Sequence, residues 1–367
     1  MPKRRPAKKR SPAATVLLAV LCLLLLAVSR YLDSRSEPAA SVSAPEAAQA
    51  DAPKLEVHFL DIGQGDSALL FCGDETLLID GGKVKNNQKL IARLKELEVD
   101  HLDAVICSHP DEDHCGGLSA VLASTRTDAF YCSVDSWHTK VFSDVTKYVA
   151  EQGISVTVPQ AGDSFAFGEA SVEFLGPVED YGDDPNEGSL VARVRYGETS
   201  FLFTGDMGFE AEDDMLAAGV DVSATVLKVA HHGSAGSSST EFLQAVHPQY
   251  AVISVGADND YGHPTEAALN RLAACGIPVY RTDLLGEIIA VSDGKTVTMT
   301  TASNETPSAD AASQPTGSYG YVGNSSSKVV HLAGCGKLPG ESNRVYFASL
   351  DEALAAGYRN HANCLGN

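Results

Sequence analysis

The chain has 367 residues, 44% hydrophobic and 20% charged, a globular composition long enough for one large domain or two smaller ones. Its formal charge of -21 is uneven: residues 1–50 hold eight of the 27 Lys and Arg but three of the 48 Asp and Glu, which leaves 19 basic against 45 acidic residues after them. A body that acidic repels polyanions at long range, which excludes nucleic-acid binding by bulk charge; such a substrate needs metal ions or a local basic patch, and otherwise the acid is a solubility surface.

The N-terminus opens with "MPKRRPAKKR" and continues into the apolar run Ala13–Val28. That run is shorter than the roughly 20 residues that span a bilayer, but Ser29–Leu32 extend it, with Arg30 snorkelling. The pattern predicts a cytoplasmic basic tail and signal anchor over 1–32, with everything later outside the cytoplasm. Cleavage as a signal peptide, giving a secreted protein, is the alternative. Leu21 before Cys22 makes a poor lipobox. Residues 33–53 are rich in Ala, Ser and Pro and read as a flexible tether. Beyond Cys22, seven cysteines remain, several in strand-like runs, which predicts free buried thiols rather than a disulfide framework.

From Leu55 the sequence is rich in strands. "LEVHFLDIG", "SALLFC" and "ETLLIDGG" are short β-type runs with Gly/Asp turns. Leu90, Ile91, Leu94 and Leu97 recur at helical spacing. "LDAVICSHP" is a buried strand, and "SLVARVRYGETSFLFTGD" is a hairpin about Tyr196–Glu198. "VLKVAHHGS" and "YAVISVG" are further strands. "TEFLQAV" and "TEAALNRLAACG" are helices, the second with a Thr cap and a Gly stop. "PVYRTD", "GEIIAVSDG" and "TVTMTT" close a domain spanning 54–301. Strand pairs interleaved with helices predict an α/β fold of two sheets with helices outside. There is no internal repeat.

In "SHPDEDHCGGL", His109 and Asp111 are two apart and Asp113 and His114 are adjacent. In a loop at a strand end, alternate residues point together. His109 and Asp111 can then reach one ion, and Asp113 and His114 a second. Two ions about 3.5–4 Å apart clamp the attacking and leaving oxygens of an ester and lower the pKa of bound water. Gly116 and Gly117 permit the tight turn that follows. Asp80 in "LLIDGG", Asp206 in "FLFTGD", and His231 and His232 in "LKVAHHGS" also follow apolar strands. Four polar strand ends of this kind are hard to explain as packing, and a carboxylate such as Asp206 can bridge two ions.

Taken in order, "GQGDS", "LLIDGG", "SHPDEDHCGG", "NEGSLVARVRYGETSFLFTGD", "LKVAHHGS" and "YGHPT" resemble the metallo-β-lactamase superfamily, specifically the hydrolase domain of the ComEC competence proteins. The resemblance implies a four-layer αββα sandwich with a dinuclear site at one edge of the sheets. It implies His109 and Asp111 on the first metal, Asp113 and His114 on the second, and Asp206 bridging. His231 or His232 supplies a further ligand or a substrate contact, and His263 lies at the pocket rim as ligand or proton donor. Asp113, His232 and His263 are thus the catalytic candidates, with Asp80, Asn186 and Ser189 behind the ligands. Asp111 stands where the superfamily's usual motif has a second histidine, and the usual mid-chain histidine is missing near Asn186 and Ser189. Oxygen in place of nitrogen hardens the site, so Mn²⁺ rivals Zn²⁺.

The ComEC resemblance points to an extracytoplasmic metal-dependent phosphodiesterase acting on DNA, with a metal-bridging hydroxide attacking phosphorus. The alternatives are hydrolysis of another extracellular ester, a phosphorylcholine-type group or a lactone, or a non-catalytic metal-binding surface protein. Lys228, Arg271 and Arg281 are either contacts in a substrate groove or ordinary solvated charge. The sequence indicates the membrane as a partner through the N-terminal helix and names no protein partner.

Residues 302–318 form a second linker, and a module of 319–367 follows. It is too small for a secure core without a staple. His331 and Cys335, with His361 and Cys364, form two close pairs that can wrap one tetrahedral Zn²⁺. The module resembles the Ada-like metal-binding domain appended to secreted hydrolases. His331 at the first ligand position rules out alkyl transfer to a cysteine there.

Overall fold

Strict alternation sets the architecture. In strand Ala68–Cys72 the side chains of Ala68, Leu70 and Cys72 join one core while Leu69 joins another. Leu77 and Ile79 part from Leu78 in the same way, as do Phe201 and Phe203 from Leu202. Strands buried on both faces need a layer on each side. The computed structural model, which describes residues 54–257, 259–301, 321–332, 337–340, 343–347 and 350–361, supplies them. The basic tail, anchor and tether expected through residue 53, the linker 302–318, and Cys335 and Cys364 lie outside the described residues. Among the described residues no helix is long and apolar enough to cross a membrane.

One sheet has eight strands in the order Val297–Thr301, Ile288–Ser292, Leu55–Phe59, Ala68–Cys72, Glu75–Ile79, Ala104–Cys107, Phe130–Cys132, Val156–Thr157. The other has seven, in the order Val279–Arg281, Tyr250–Ile253, Val226–Lys228, Thr199–Phe203, Val191–Tyr196, Ala170–Gly176, Ser164–Phe167. Between them lies a core that includes Phe59, Leu70, Ile106, Phe174, Phe203 and Val226. Helices Asn87–Glu96, Leu118–Ser124 and Lys140–Glu151 cover the first sheet through Leu90, Leu118 and Phe142. Helices Phe209–Ala217, Thr240–Val246 and Glu266–Ala274 cover the second through Met215, Phe242 and Leu272. This is the αββα sandwich that the motifs imply. The hairpin pairs Tyr196 with Thr199, and Thr265 caps its helix by accepting from Ala268 N at 3.3 Å.

The strands that carry the candidate residues are mutually parallel in each sheet. Glu75–Ile79 pairs with Ala104–Cys107, and Thr199–Phe203, Val226–Lys228 and Tyr250–Ile253 run side by side. Their carboxyl ends therefore open on one edge, the usual place for a ligand crevice in such sheets.

Two of the three basic residues proposed for the surface are interior. Lys228 is buried and its Nζ lies 2.6 Å from Asp66 Oδ2. Arg271 is fully buried and donates to the carbonyls of Ser238 at 2.8 Å, Ser237 at 2.6 Å and Ala235 at 3.1 Å. Arg281 is held by Asp283 at 2.6 Å. None is a solvated charge, because the helix and strand faces that carry Arg271 and Lys228 point inward. Buried Glu212 accepts from the backbone N–H groups of Ser238 and Ser239, so the loop after "HHGS" is held at its carbonyls by Arg271 and at its amides by Glu212.

The C-terminal residues form a four-stranded sheet in the order Arg344–Phe347, Tyr321–Asn324, Val329–Leu332, Arg359–Asn360. Val330, Val345, Phe347, Ala353 and Tyr358 make its small core. Its Tyr346 hydroxyl lies 3.5 Å from Thr240 Oγ1 of the sandwich.

Removing the Arg271 guanidinium leaves the carbonyls of Ser237, Ser238 and Ala235 without their donor. Arg271→Met is expected to lower unfolding stability by about 3–5 kcal/mol, measured by urea denaturation of the purified protein.

Candidate metal centre

The site is assembled from loops of both sheets. Asp80 follows its strand with φ of 60°, and His231 and His232 have φ of 51° and 52°. Residues other than glycine seldom hold this left-handed conformation, and they do so where the surroundings enforce it. Here three of them meet at one place. Gly65, at φ 130°, lets the "GQGDS" loop pass against the metal-motif loop: a Cβ there would lie 2.4 Å from the Asp113 carbonyl oxygen. The Asp66 amide then donates to that same oxygen at 3.0 Å.

Each buried histidine is oriented through Nδ1. Asp80 accepts from Ser108 N at 2.7 Å and from Ser108 Oγ at 2.8 Å, and its Oδ2 lies 2.9 Å from His114 Nδ1. His109 Nδ1 lies 3.0 Å from Ser108 Oγ and 3.4 Å from Ser189 Oγ. His232 Nδ1 donates to Ser254 O at 2.9 Å. The opposite nitrogens converge. His114 Nε2 is 3.0 Å from Asp206 Oδ1, and His232 Nε2 is 3.5 Å from Asp206 Oδ2 and 3.6 Å from Asp113 Oδ2. His109 Nε2 is 3.9 Å from Asp111 Oδ2.

Asp206 is thus central, touching His114, His232 and, at 3.6 Å, His231 Nε2. Ser189 Oγ supports this cluster by accepting from the Asp206 amide at 3.1 Å. Asn186 forms the turn before it, accepting from Ser189 N at 3.0 Å through its backbone oxygen. His231 keeps 30% of its side chain exposed, whereas His232 is buried. His263 is half-buried, its ring edge-on to His231 at 5.6 Å.

A metal fits this arrangement on the evidence of unsatisfied atoms. The Nε2 atoms of His109, His114 and His232, and Asp206 Oδ1, are buried and make no hydrogen bond, the short His114–Asp206 separation being off hydrogen-bond geometry. Orphaned buried polar atoms are costly, and a cation satisfies all of them together. Asp66, His114, Asp206 and His232 lie close enough to hold an ion. Asp66, however, faces the nitrogen of His232 that already bonds Ser254, and its other oxygen holds Lys228. Its position is behind the ligands, where it orients His232. Asp66 received no role from the sequence, although "GQGDS" was a signal for it, and Lys228, read as a groove contact or solvated charge, is instead the buried partner of Asp66.

Electrostatics follow from this crowding. Burial opposes charge on His232, but Asp206 and Asp66 outweigh it and push its pKa up to about 10. Burial likewise opposes charge on His114, and Asp206 with Asp80 raises its pKa well above the usual range. Burial and then His114 push His109 down to about 3. Asp206, despite burial, is held well below the usual carboxylate range by His114 and His232. Burial and then Asp113 raise Asp111.

The chain belongs to the metallo-beta-lactamase superfamily, whose sequence profile matches residues 60–257. The class is that of metal-dependent hydrolases. Competence protein ComA of Neisseria gonorrhoeae is 34% identical over 285 residues, covering 76% of this chain and 38% of that protein. ComE operon protein 3 of Bacillus subtilis (strain 168) is 31% identical over 251 residues, covering 64% of this chain and 32% of that protein. The chain therefore spans about a third of the length of these curated relatives. Both agree with the ComEC resemblance. Among solved structures, the metallo-beta-lactamase fold protein YhfI from Bacillus subtilis is 14% identical, with a TM-score of 0.46, covering 65% of this chain and 100% of that one.

Without metal, His114 and His232 carry protons near neutral pH, and a bound ion needs their lone pairs. Binding of Mn²⁺ or Zn²⁺ should therefore release up to two protons per protein at pH 7–8. Apparent affinity should rise with pH until both imidazoles have lost their protons, His232 near pH 10. Titration calorimetry in buffers of different ionisation enthalpy measures the release.

Proposed function

We propose that the chain is an extracytoplasmic phosphodiesterase that cuts DNA at a dinuclear metal centre. The observation that carries this is the donor set: three imidazole nitrogens face the carboxylates of Asp111, Asp113 and Asp206, with the buried nitrogens lacking partners. So many oxygens make a hard site, suited to Mn²⁺ as well as Zn²⁺ and to phosphoryl oxygens. His109 and Asp111 would hold one ion, Asp113 and His114 the other, with Asp206 between them and His232, rather than the more exposed His231, as the further ligand. Divalent ions held there supply Lewis acidity and acidify water.

The chain's own residues set the stage for that chemistry. Asp80 and Ser254 fix which imidazole nitrogens face the substrate side. Burial, then His232 and His231, push His263 down to about 4, so near pH 7 it is neutral and does not deliver a proton as a cation. The relatives named for competence support DNA as the substrate, and the basic and apolar N-terminal pattern supports the location.

The test is metal analysis of the purified protein with cleavage assays on single- and double-stranded DNA and an activated phosphodiester under Mn²⁺, Mg²⁺ and Zn²⁺. Asp113→Ala should lower turnover roughly a thousandfold while the fold persists by circular dichroism. No turnover of any phosphodiester with any of the three metals would leave the non-catalytic reading in place.

In the C-terminal module the rings of His331 and His361 lie 4.0 Å apart, and His331 Nδ1 is buried without a partner. This supports a zinc ion shared with Cys335 and Cys364. The purified protein should hold one zinc equivalent that His331→Ala removes, read by elemental analysis beside the wild type.

A further inference from the structure

The rim of the site carries an aromatic face and an ammonium that metal binding does not use. Tyr261 is 58% exposed, yet it stands beside the metal centre. Its ring stacks on His263, with centroids 5.7 Å apart and planes 26° apart. Lys83 reaches it from the other sheet's loop: Nζ donates to the Tyr261 hydroxyl at 3.1 Å and lies 4.9 Å from the ring centroid. The same Nζ lies 3.9 Å from Asp113 Oδ2, beyond a hydrogen bond but adjacent to a candidate ligand.

The loop that presents Tyr261 is rigid for its exposure. Asn259 accepts from the amides of Tyr261 at 3.2 Å and His263 at 3.0 Å, and donates to the carbonyls of Gly256 at 2.9 Å and His263 at 2.7 Å. An exposed aromatic held this firmly is not filling a core. More than half of it stays exposed beside His263 and Lys83, and that exposed part of the ring can meet a planar partner.

Charge points the same way. Immediately after Asp80, the 15 residues Gly81–Lys95 contain five Lys or Arg and no Asp or Glu, in a body that is otherwise strongly acidic. Lys83, at the start of this run, lies beside the metal centre, while further along Lys89 is paired with Asp61 and Arg93 with Glu287. Lys228, Arg271 and Arg281 are buried or paired elsewhere. Lys83 is thus the ammonium that a polyanion meets beside the metals.

We propose that Lys83 and Tyr261 form the substrate clamp, Lys83 taking a backbone phosphate and Tyr261 stacking on an adjacent unpaired base, so that the site works on single-stranded nucleic acid. This rests on the phosphodiesterase reading. Base–aromatic stacking needs a base free of its duplex neighbours, which is why the clamp selects single strands or frayed ends.

The test uses the full chain with Mn²⁺ and a short oligothymidylate, an otherwise equal oligonucleotide with abasic positions, and a duplex. Tyr261→Ala should raise KM for the oligothymidylate roughly 5- to 100-fold, Tyr261→Phe should restore it, and the abasic substrate should not distinguish Tyr261→Ala from wild type. Lys83→Met should make the salt dependence of binding to a phosphorothioate oligothymidylate shallower by about 0.7 in log–log slope, read by fluorescence anisotropy. A Tyr261→Ala change below about twofold, an equal loss on abasic or duplex substrate, or an unchanged slope in Lys83→Met would overturn the clamp while leaving wild-type cleavage intact. Absence of wild-type cleavage of every phosphodiester would instead remove the reading beneath it.

Discussion

The fold depends on one electrostatic constraint: carboxylates and imidazoles have been taken out of water together at the edge of two sheets. Each alone would be expensive there. The arrangement holds because Asp80 faces His114, Asp66 faces Lys228 and His232, and Asp206 faces three histidines. What these contacts leave over is a set of inward nitrogens and an oxygen with no partner. Those atoms form a candidate cation site, and the left-handed backbone at Asp80, His231 and His232 is the local strain that the surrounding bonds sustain.

Much of this was legible in the chain. Polar residues directly behind apolar strands marked the strand ends, and the parallel pairing of those strands puts their ends on one edge. Strand pairs interleaved with helical runs foretold two sheets with helices outside. Cys72, Cys107, Cys115 and Cys132 are free and buried, as their apolar neighbours implied. Less legible was anything that needed a partner far along the sequence. Lys228 sits in an apolar strand where a lysine reads as an edge or surface residue; only Asp66, more than a hundred positions earlier, explains its burial. Arg271 looks like the solvated side of an amphipathic helix until the loop it holds is in place. The choice between His231 and His232 was open for the same reason, since Ser254, which orients the second, arrives from another strand.

The acidity of the body takes on a different meaning beside this site. Negative charge that repels a polyanion at a distance also concentrates divalent cations near the surface. The stretch Gly81–Lys95 has no Asp or Glu, and its Lys83 lies 3.9 Å from Asp113 of the metal loop.

The inter-sheet core has a consequence beyond stability. Asp80, His109, Asp113 and His114 ride on one sheet; Asp206, His231 and His232 ride on the other. The packing of residues such as Phe59 against Phe203, stacked at 5.9 Å, is therefore the spacer that fixes the gap between the two halves of the centre. A small sliding of the layers would pull the halves out of alignment before any strand came apart. Catalytic competence in this architecture is a ruler for the fit between the layers, and gentle warming should silence it while the secondary structure still stands.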